Sequence, residues 1–367
     1  MKNDKTIKRP IEAVHYGTYL QLDKILNAQE TVSSRYGESA HDETLFIITH
    51  QTYELWFKQI LHDLDWVLNI MKEKTLPDRQ VFQIVAKLER MRLIFELLFG
   101  QLEILETMTP LDFLDFRNYL APASGFQSIQ FRLVEAKLGL KRENRLFPGE
   151  GQGLRLTSEE EKHLRQVELD AGLFKLVEDW LERMPFLKRG HFDFWQQYKN
   201  AVDKMLTTDQ EQIQNHPQLT EKEKKRELES LELSRKSFAS LLEKKDGPMI
   251  DEKRKHLSPT ASLAALFIQL YRDEPILNGP FRLITALINL DEGLTSWRAR
   301  HAMMAHRMLG IKIGTGGSSG HQYLKATVEK NRIFEDFFNL STFLIPRRDL
   351  PELPADLRRE LGLHFHE

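Results

Sequence analysis

Residues 43–73, ETLFIITHQTYELWFKQILHDLDWVLNIMKE, hold neither glycine nor proline, and their apolar residues recur every three or four positions. That spacing predicts one long helix, because side chains three and four apart stack on a common face. Asp42 stands where an N-cap would. Phe46, His50, Tyr53 and Phe57 share a face, which places His50 in an aromatic stripe. A lone histidine in such a stripe is more often a hydrogen-bonded core residue than a functional one. The same stripe would equally form one wall of a pocket for a flat aromatic ligand.

The helical pattern extends in both directions. Upstream, YGTYLQLDKILNAQE (16–30) predicts a first helix with Leu20, Leu22, Ile25 and Leu26 on its apolar side. Tyr16 and Tyr19 are neighbours on it, and paired tyrosines are more often core or interface aromatics than catalysts. Downstream, helical periodicity covers about 78–108, 158–185, 261–271, the stretch after Pro280 and 321–346. Residues 141–156 form a polar, glycine-punctuated loop. From 203 to 255 the composition turns to Lys and Glu, with Leu228, Leu231, Phe238, Leu241 and Leu242 as its apolar stripe, which predicts a solvated helical hairpin. No sustained period-two alternation and no internal repeat appears. The expected fold is all-α: a single large helical-bundle domain over 1–367, with a charged helical-hairpin excursion at 203–255.

Composition narrows the function classes. Lys+Arg 52 against Asp+Glu 54 leaves a formal net charge of -2, so neither nucleic acid nor an anionic membrane surface is an expected partner. Cys 0 removes disulfides, thiolate nucleophiles and cysteine metal sites. The N-terminal stretch has no apolar h-region, and no later run is long and apolar enough to span a bilayer, so a cytoplasmic location is expected.

Chemistry-bearing residues gather in two further stretches. In WRARHAMMAHRMLGIKIGTGGSSG (297–320), Leu294, Trp297, His301, Met304 and Met308 share a helical face, and Gly310 offers a helix stop. The loop GTGGSSG (314–320) lacks the GK[ST] ending of a phosphate loop and follows a helix, not a strand. It reads as backbone that closes over some other ligand, or as a surface linker. In TPLDFLDFRNYLAPASG (109–125), Arg117 lies among Phe113 and Phe116. An arginine so placed needs an anion, supplied either by Asp112 or Asp115 or by a substrate carboxylate. His301 and His306 are five apart, roughly 140° around a helix, so they do not readily share one metal. Single histidines on apolar faces are what haem needs: one axial imidazole and an apolar slot between helices.

Five blocks, YGTYLQLDKILNAQ (16–29), DETLFIITHQTYELWFKQIL (42–61), LETMTPLDFLDFRNYLAPASGFQSIQFR (105–132), WRARHAMMAHRMLG (297–310) with its GTGGSSG, and FNLSTFLIPR (338–347), together resemble the tryptophan 2,3-dioxygenase family. The resemblance implies a haem b enzyme, ferrous in its active form, that takes L-tryptophan and O2 and yields N-formyl-L-kynurenine. It implies a homotetramer, a dimer of dimers. By position, His301 matches the proximal haem ligand, His50 the distal histidine beside the indole N–H, and Phe46 an aromatic wall. Arg117 matches the substrate-carboxylate clamp, Thr315 a contact to the substrate ammonium and carboxylate, and Ser124 a serine near the haem edge. Tyr16 and Tyr19 match tyrosines that reach a neighbouring subunit's active site. Phe113 stands where some members carry tyrosine, which removes a hydroxyl but no ligand and no clamp. A haem-binding sensor without turnover is the rival class, and Arg117 with Thr315 argue against it, since such a protein has no use for an amino-acid clamp. A ring-substituted tryptophan as substrate is compatible with the same residues.

Overall fold

A computed structural model describes residues 13–140, 142, 156–242, 257–310 and 320–362, and over them the chain is mostly helical. Three helices form the spine: α4 (Glu43–Met71), α5 (Asp78–Leu105) and α13 (Pro275–Leu309). Each buries a face at helical spacing. Ile60, Leu64 and Val67 of α4, Ile84, Leu88, Met91 and Phe95 of α5, and Leu283, Leu287, Leu290 and Leu294 of α13 belong to one core sealed from solvent, with α5 packed against both of the others. Burying each such side chain contributes about 1.5–3 kcal/mol.

The remaining elements wrap this spine. Ahead of it lie α1 (Tyr16–Leu20), α2 (Leu22–Leu26) and α3 (Val32–Arg35); after α5 come α6 (Pro110–Leu120), α7 (Ile129–Leu138), α8 (Ser158–Leu169) and α9 (Leu173–Glu182). Helices α10 (Phe194–Gln214) and α11 (Glu221–Leu242) form a hairpin, and α12 (Pro259–Leu270) leads into α13. Helices α14 (Gly320–Lys330), α15 (Glu335–Asn339) and α16 (Ala355–Leu361) close the fold. Gly139, at φ +123°, ends α7 where the backbone of Gly172 comes against it, and a Cβ on Gly139 would stand 2.8 Å from the Phe174 Cβ.

The all-α expectation is met, with departures. The single helix expected over 16–30 is broken at Gln21, whose left-handed φ of 53° separates α1 from α2, and the second piece stops at Leu26. Its apolar side is not a core face: among the described residues neither α1 nor α2 buries a side chain. Asp42 occupies the N-cap of α4 but makes no cap hydrogen bond, its carboxylate being turned to His41. Helix α13 starts at Pro275, ahead of Pro280, which the helix absorbs near its start. A two-residue antiparallel ladder pairs Lys188 with Asp193 and Arg189 with Phe192, too short to show as alternation. The charged hairpin begins inside the core, at Phe194, Tyr198, Val202 and Leu206, and Phe238 returns to it from α11. The expected loop 141–156, the end of the excursion, the glycine-rich 314–319 and the last five residues lie largely or wholly outside the described residues. Among the described residues no helix is long and apolar enough to cross a membrane.

Candidate active site

Helix α4 brings Phe46 and His50 together one turn apart. Their rings lie 4.1 Å apart between centroids, and the His50 Nδ1 is 2.7 Å from the Phe46 carbonyl. A carbonyl only accepts, so Nδ1 carries a proton. Burial lowers the His50 pKa, against the opposing influence of that carbonyl and of Glu54. The ring is therefore neutral near pH 7, and its Nε2 is left as an acceptor.

Helix α6 supplies the rest of the aromatic wall. Thr109 and Asp112 build its capping box, in which the Thr109 hydroxyl accepts from the Asp112 N–H and the Asp112 carboxylate accepts from the Thr109 N–H at 2.8 Å. Pro110 at the first position completes the start. Phe113 and Phe116 then stand 5.8 and 5.6 Å from the Phe46 ring and 5.4 Å from each other. Arg117 follows Phe116 directly and is half-buried. Asp112, one of the two carboxylates considered for Arg117, is taken up by Thr109. Ser124 caps the next short turn, accepting from the Phe126 N–H at 3.4 Å while its own N–H donates to Gln127 at 3.0 Å.

Helix α13 presents His301 from the other side. Trp297, one turn earlier, stacks on it with ring centroids 5.5 Å apart. Tyr53, Phe57, Phe95 and Phe131 surround the Trp297 indole at 5.2–6.4 Å. The Tyr53 hydroxyl donates to the Leu98 carbonyl at 2.9 Å, while the buried Trp297 N–H faces that hydroxyl outside good hydrogen-bond geometry. Burial, and then repulsion from the nearby His50, lower the His301 pKa from 6.5 to about 4. Both histidines lie deep in the protein yet keep some accessible surface, and the Tyr53 and Trp297 rings link them.

This arrangement fits a haem. His301 is neutral, as an iron-binding imidazole must be; its ring stacks on Trp297, and a second neutral histidine, His50, lies near enough to repel its proton. No group of three His, Asp or Glu side chains among the described residues could hold a bare metal ion. A porphyrin supplies its own equatorial donors, so a single protein ligand suffices.

The structure thus joins Phe46, His50 and His301, with Arg117 on the helix that closes the wall. It does not bring Tyr16 and Tyr19 to these residues: they are 72% and 74% exposed on α1. Thr315 lies outside the described residues. Reading of the sequence missed a buried cluster behind the site. Glu135 of α7 accepts from Arg132 at 2.8 Å and from Arg298 of α13 at 2.7 Å. Asp291 of α13 accepts from the N–H groups of Ile333 and Phe334 at 3.1 and 3.4 Å. Nothing in the sequence marks these charges as buried, because Lys, Arg, Asp and Glu on a helix are ordinarily solvated.

A family model described as tryptophan 2,3-dioxygenase matches residues 2–344. A protein of Alteromonas mediterranea named tryptophan 2,3-dioxygenase is 51% identical over 361 residues, covering 98% of this chain and 100% of that one. A protein of the same name from Bdellovibrio bacteriovorus is 49% identical over 354 residues, 96% of this chain and 99% of its own. Another, from Dictyostelium discoideum, is 44% identical over 353 residues, 95% and 88% respectively.

Proposed function

The chain belongs to the tryptophan 2,3-dioxygenase family, an oxidoreductase family that joins tryptophan with O2, and from that premise we propose that His301 would hold its haem and that L-tryptophan would bind beside His50 and Phe46. The observation that carries this reading is the pair of neutral histidines, His50 of α4 and His301 of α13, buried close enough to repel each other's protons and joined by the Tyr53 and Trp297 rings. The group is haem b, ferrous in the working enzyme. When bound, it supplies the O2 binding and redox chemistry by which both oxygen atoms enter the indole C2–C3 bond to give N-formyl-L-kynurenine.

The chain's own residues orient the substrate. With Nδ1 tied to the Phe46 carbonyl, His50 offers Nε2 as an acceptor for the indole N–H. It needs no proton-abstracting role, since that N–H is a very weak acid and positioning suffices. Phe46 and Phe113 form an apolar wall for the ring and keep water off it. Arg117 receives the substrate carboxylate as a forked, charge-assisted pair. Thr315 meets the ammonium and carboxylate, and Ser124 lies by the haem edge. Holding the substrate at both ends fixes its orientation, worth several kcal/mol of the barrier. Tyr16 and Tyr19 complete the site of a neighbouring subunit in a homotetramer, a dimer of dimers. Their exposure on helices that bury nothing of their own chain supports that reading. The enzyme works in the cytoplasm, without nucleic-acid or membrane partners.

The test is an absorption spectrum of haem-reconstituted protein, reduced without oxygen and then given L-tryptophan and O2. A Soret band followed by growth of the N-formylkynurenine band is expected. A Soret band with no product refutes the substrate assignment, and no Soret band refutes the role of His301.

A further inference from the structure

Helices α5 and α13 run side by side in the same direction: Gly279 faces Val81 and Phe82, and further along Gly293 faces Phe95 and Arg92. Helix α5 stops at Leu105, whereas α13 goes on to Leu309. Glu106, the first residue past α5, reaches across to it. Its Oε2 accepts from Arg300 Nη2 at 2.6 Å and lies 3.5 Å from Arg307 Nη1. The Glu106 side chain is only 7% exposed, so its charge depends on these partners. Three residues on, Thr109 starts α6, the helix of Phe113, Phe116 and Arg117. One carboxylate therefore ties the last turns of α13 to the junction from which the aromatic wall departs.

A carboxylate at that point does not serve α5. The C-terminal end of a helix carries partial negative charge, and an acid there costs about 0.3–1 kcal/mol. The acid is favourable only with the arginines of α13 beside it, and what that pairing supplies is direction. Arg298 and Arg300 project to opposite sides of α13, roughly 200° apart. Glu135 of α7 takes Arg298 at 2.7 Å, and Glu106 takes Arg300. Two holds on opposite sides fix the rotation of a helix that one hold would leave free to roll. His301 is the next residue. Among the described residues its ring rests on Trp297, one turn back on the same helix, so the ring follows the helix.

We propose that Glu106, acting through Arg300, is a positioning residue for His301: it fixes the rotation of α13 and thereby the direction in which the imidazole points. The proposal rests on the reading of His301 as the residue that holds the haem. Groups that orient a metal-bound imidazole commonly change metal affinity by about 10–100-fold, and Glu106, which acts through the helix, belongs at the lower end.

The experiment compares the haem-loaded enzyme with Glu106→Gln, Arg300→Met and Arg300→Lys, the last keeping a cation within reach of Glu106. Three quantities are read: the Fe–His stretching band of the ferrous protein by resonance Raman, the rate of haem transfer to apomyoglobin, and hydrogen exchange of peptides within 297–309. Glu106→Gln and Arg300→Met are expected to shift or broaden the Fe–His band and to speed haem loss about tenfold. Exchange quickens in 297–309 but not in α4, and Arg300→Lys stays near the parent in all three readings. An unchanged Fe–His band and haem-loss rate in both Glu106→Gln and Arg300→Met overturn the proposal. So does an equal change in all three variants with faster exchange throughout the protein, since the pair would then be holding the fold and not the ring. If Glu106→Gln does not fold, Arg300→Met, which leaves Glu106 beside Arg307, decides on the same readings. A parent that takes up no haem refutes the functional reading instead, and exchange in 297–309 of the haem-free chains still decides whether the pair holds that turn.

Discussion

Replacing His301 with glutamine in the haem-free protein should remove much of the fold's sensitivity to mild acid. The folded-state pKa of His301 is about 4 against 6.5 for the free side chain. A lowered pKa means that the unfolded chain binds the proton more readily, so stability is highest above pH 6.5 and falls as pH drops toward 4. Each unit is worth about 1.4 kcal/mol, which over the two units from pH 6.5 to 4.5 makes about 2.7 kcal/mol. The ring keeps some accessible surface, where water screens the penalty, and the working figure is about 2 kcal/mol. Urea midpoints at pH 7 and pH 4.5, converted with a common slope, give the measurement. The His301→Gln apoprotein should lose about 2 kcal/mol less than the parent over that interval. His50 titrates in both proteins, and since its coupling to His301 is a smaller cause than burial, most of its contribution cancels in the comparison. Equal losses would refute the idea that His301 is held neutral by burial, and with it the readiness of that ring to bind iron.

Three other outcomes are expected. Arg117→Ala should raise KM for tryptophan by 10-fold or more with a smaller change in kcat, as removal of a charge-assisted pair costs about 1.5–3 kcal/mol; an unaltered KM in steady-state assays would remove Arg117 from the clamp. Gly139→Ala should destabilise the fold by about 2–4 kcal/mol, because a Cβ would meet the Phe174 Cβ at 2.8 Å and φ is +123°, and thermal melting reads this directly. Deleting residues 1–27 should leave the melting temperature of the body nearly unchanged, since α1 and α2 bury nothing, yet lower kcat/KM; full activity in the truncated enzyme would exclude Tyr16 and Tyr19 from any active site.

The spine was legible because its signals are local. Helix α4 could be read from an unbroken 3.6-residue repeat, and Gly310 ends α13 where a glycine at positive φ was expected. Phe46, His50 and His301 could be listed as candidates from their faces, while their assignment to roles came from the likeness to a family. The break at Gln21 was not legible, since a left-handed glutamine has no sequence signature, and the apolar residues of α1 and α2 look like core residues until one finds nothing above them. Periodicity also misplaced the start of α13, because Pro280 loses one backbone hydrogen bond near the helix end, where a long packed face outweighs it. The Glu135 cluster joins residues from three helices, and only tertiary structure shows which charges face inward.

Helix α4 does two jobs on the same few turns. Its first residue, Glu43, is fully buried and accepts from the N–H groups of Val32 and Ser33 at 2.7 and 3.0 Å; two turns on, the Gln51 amide donates to the Ala28 carbonyl at 2.9 Å and accepts from Gln29 at 2.7 Å. Those bonds fix where the N-terminal arm leaves the body. Phe46 and His50 lie between them, ring against ring. Redesign of the pocket through residues 43–51 therefore also re-aims the arm, and a library built there to change substrate preference would select for arm geometry at the same time. Helix α6, which supplies the rest of that wall, carries the same coupling, because it packs against α3 and its Tyr119 stacks on Tyr36 and donates to Glu38 at 2.6 Å.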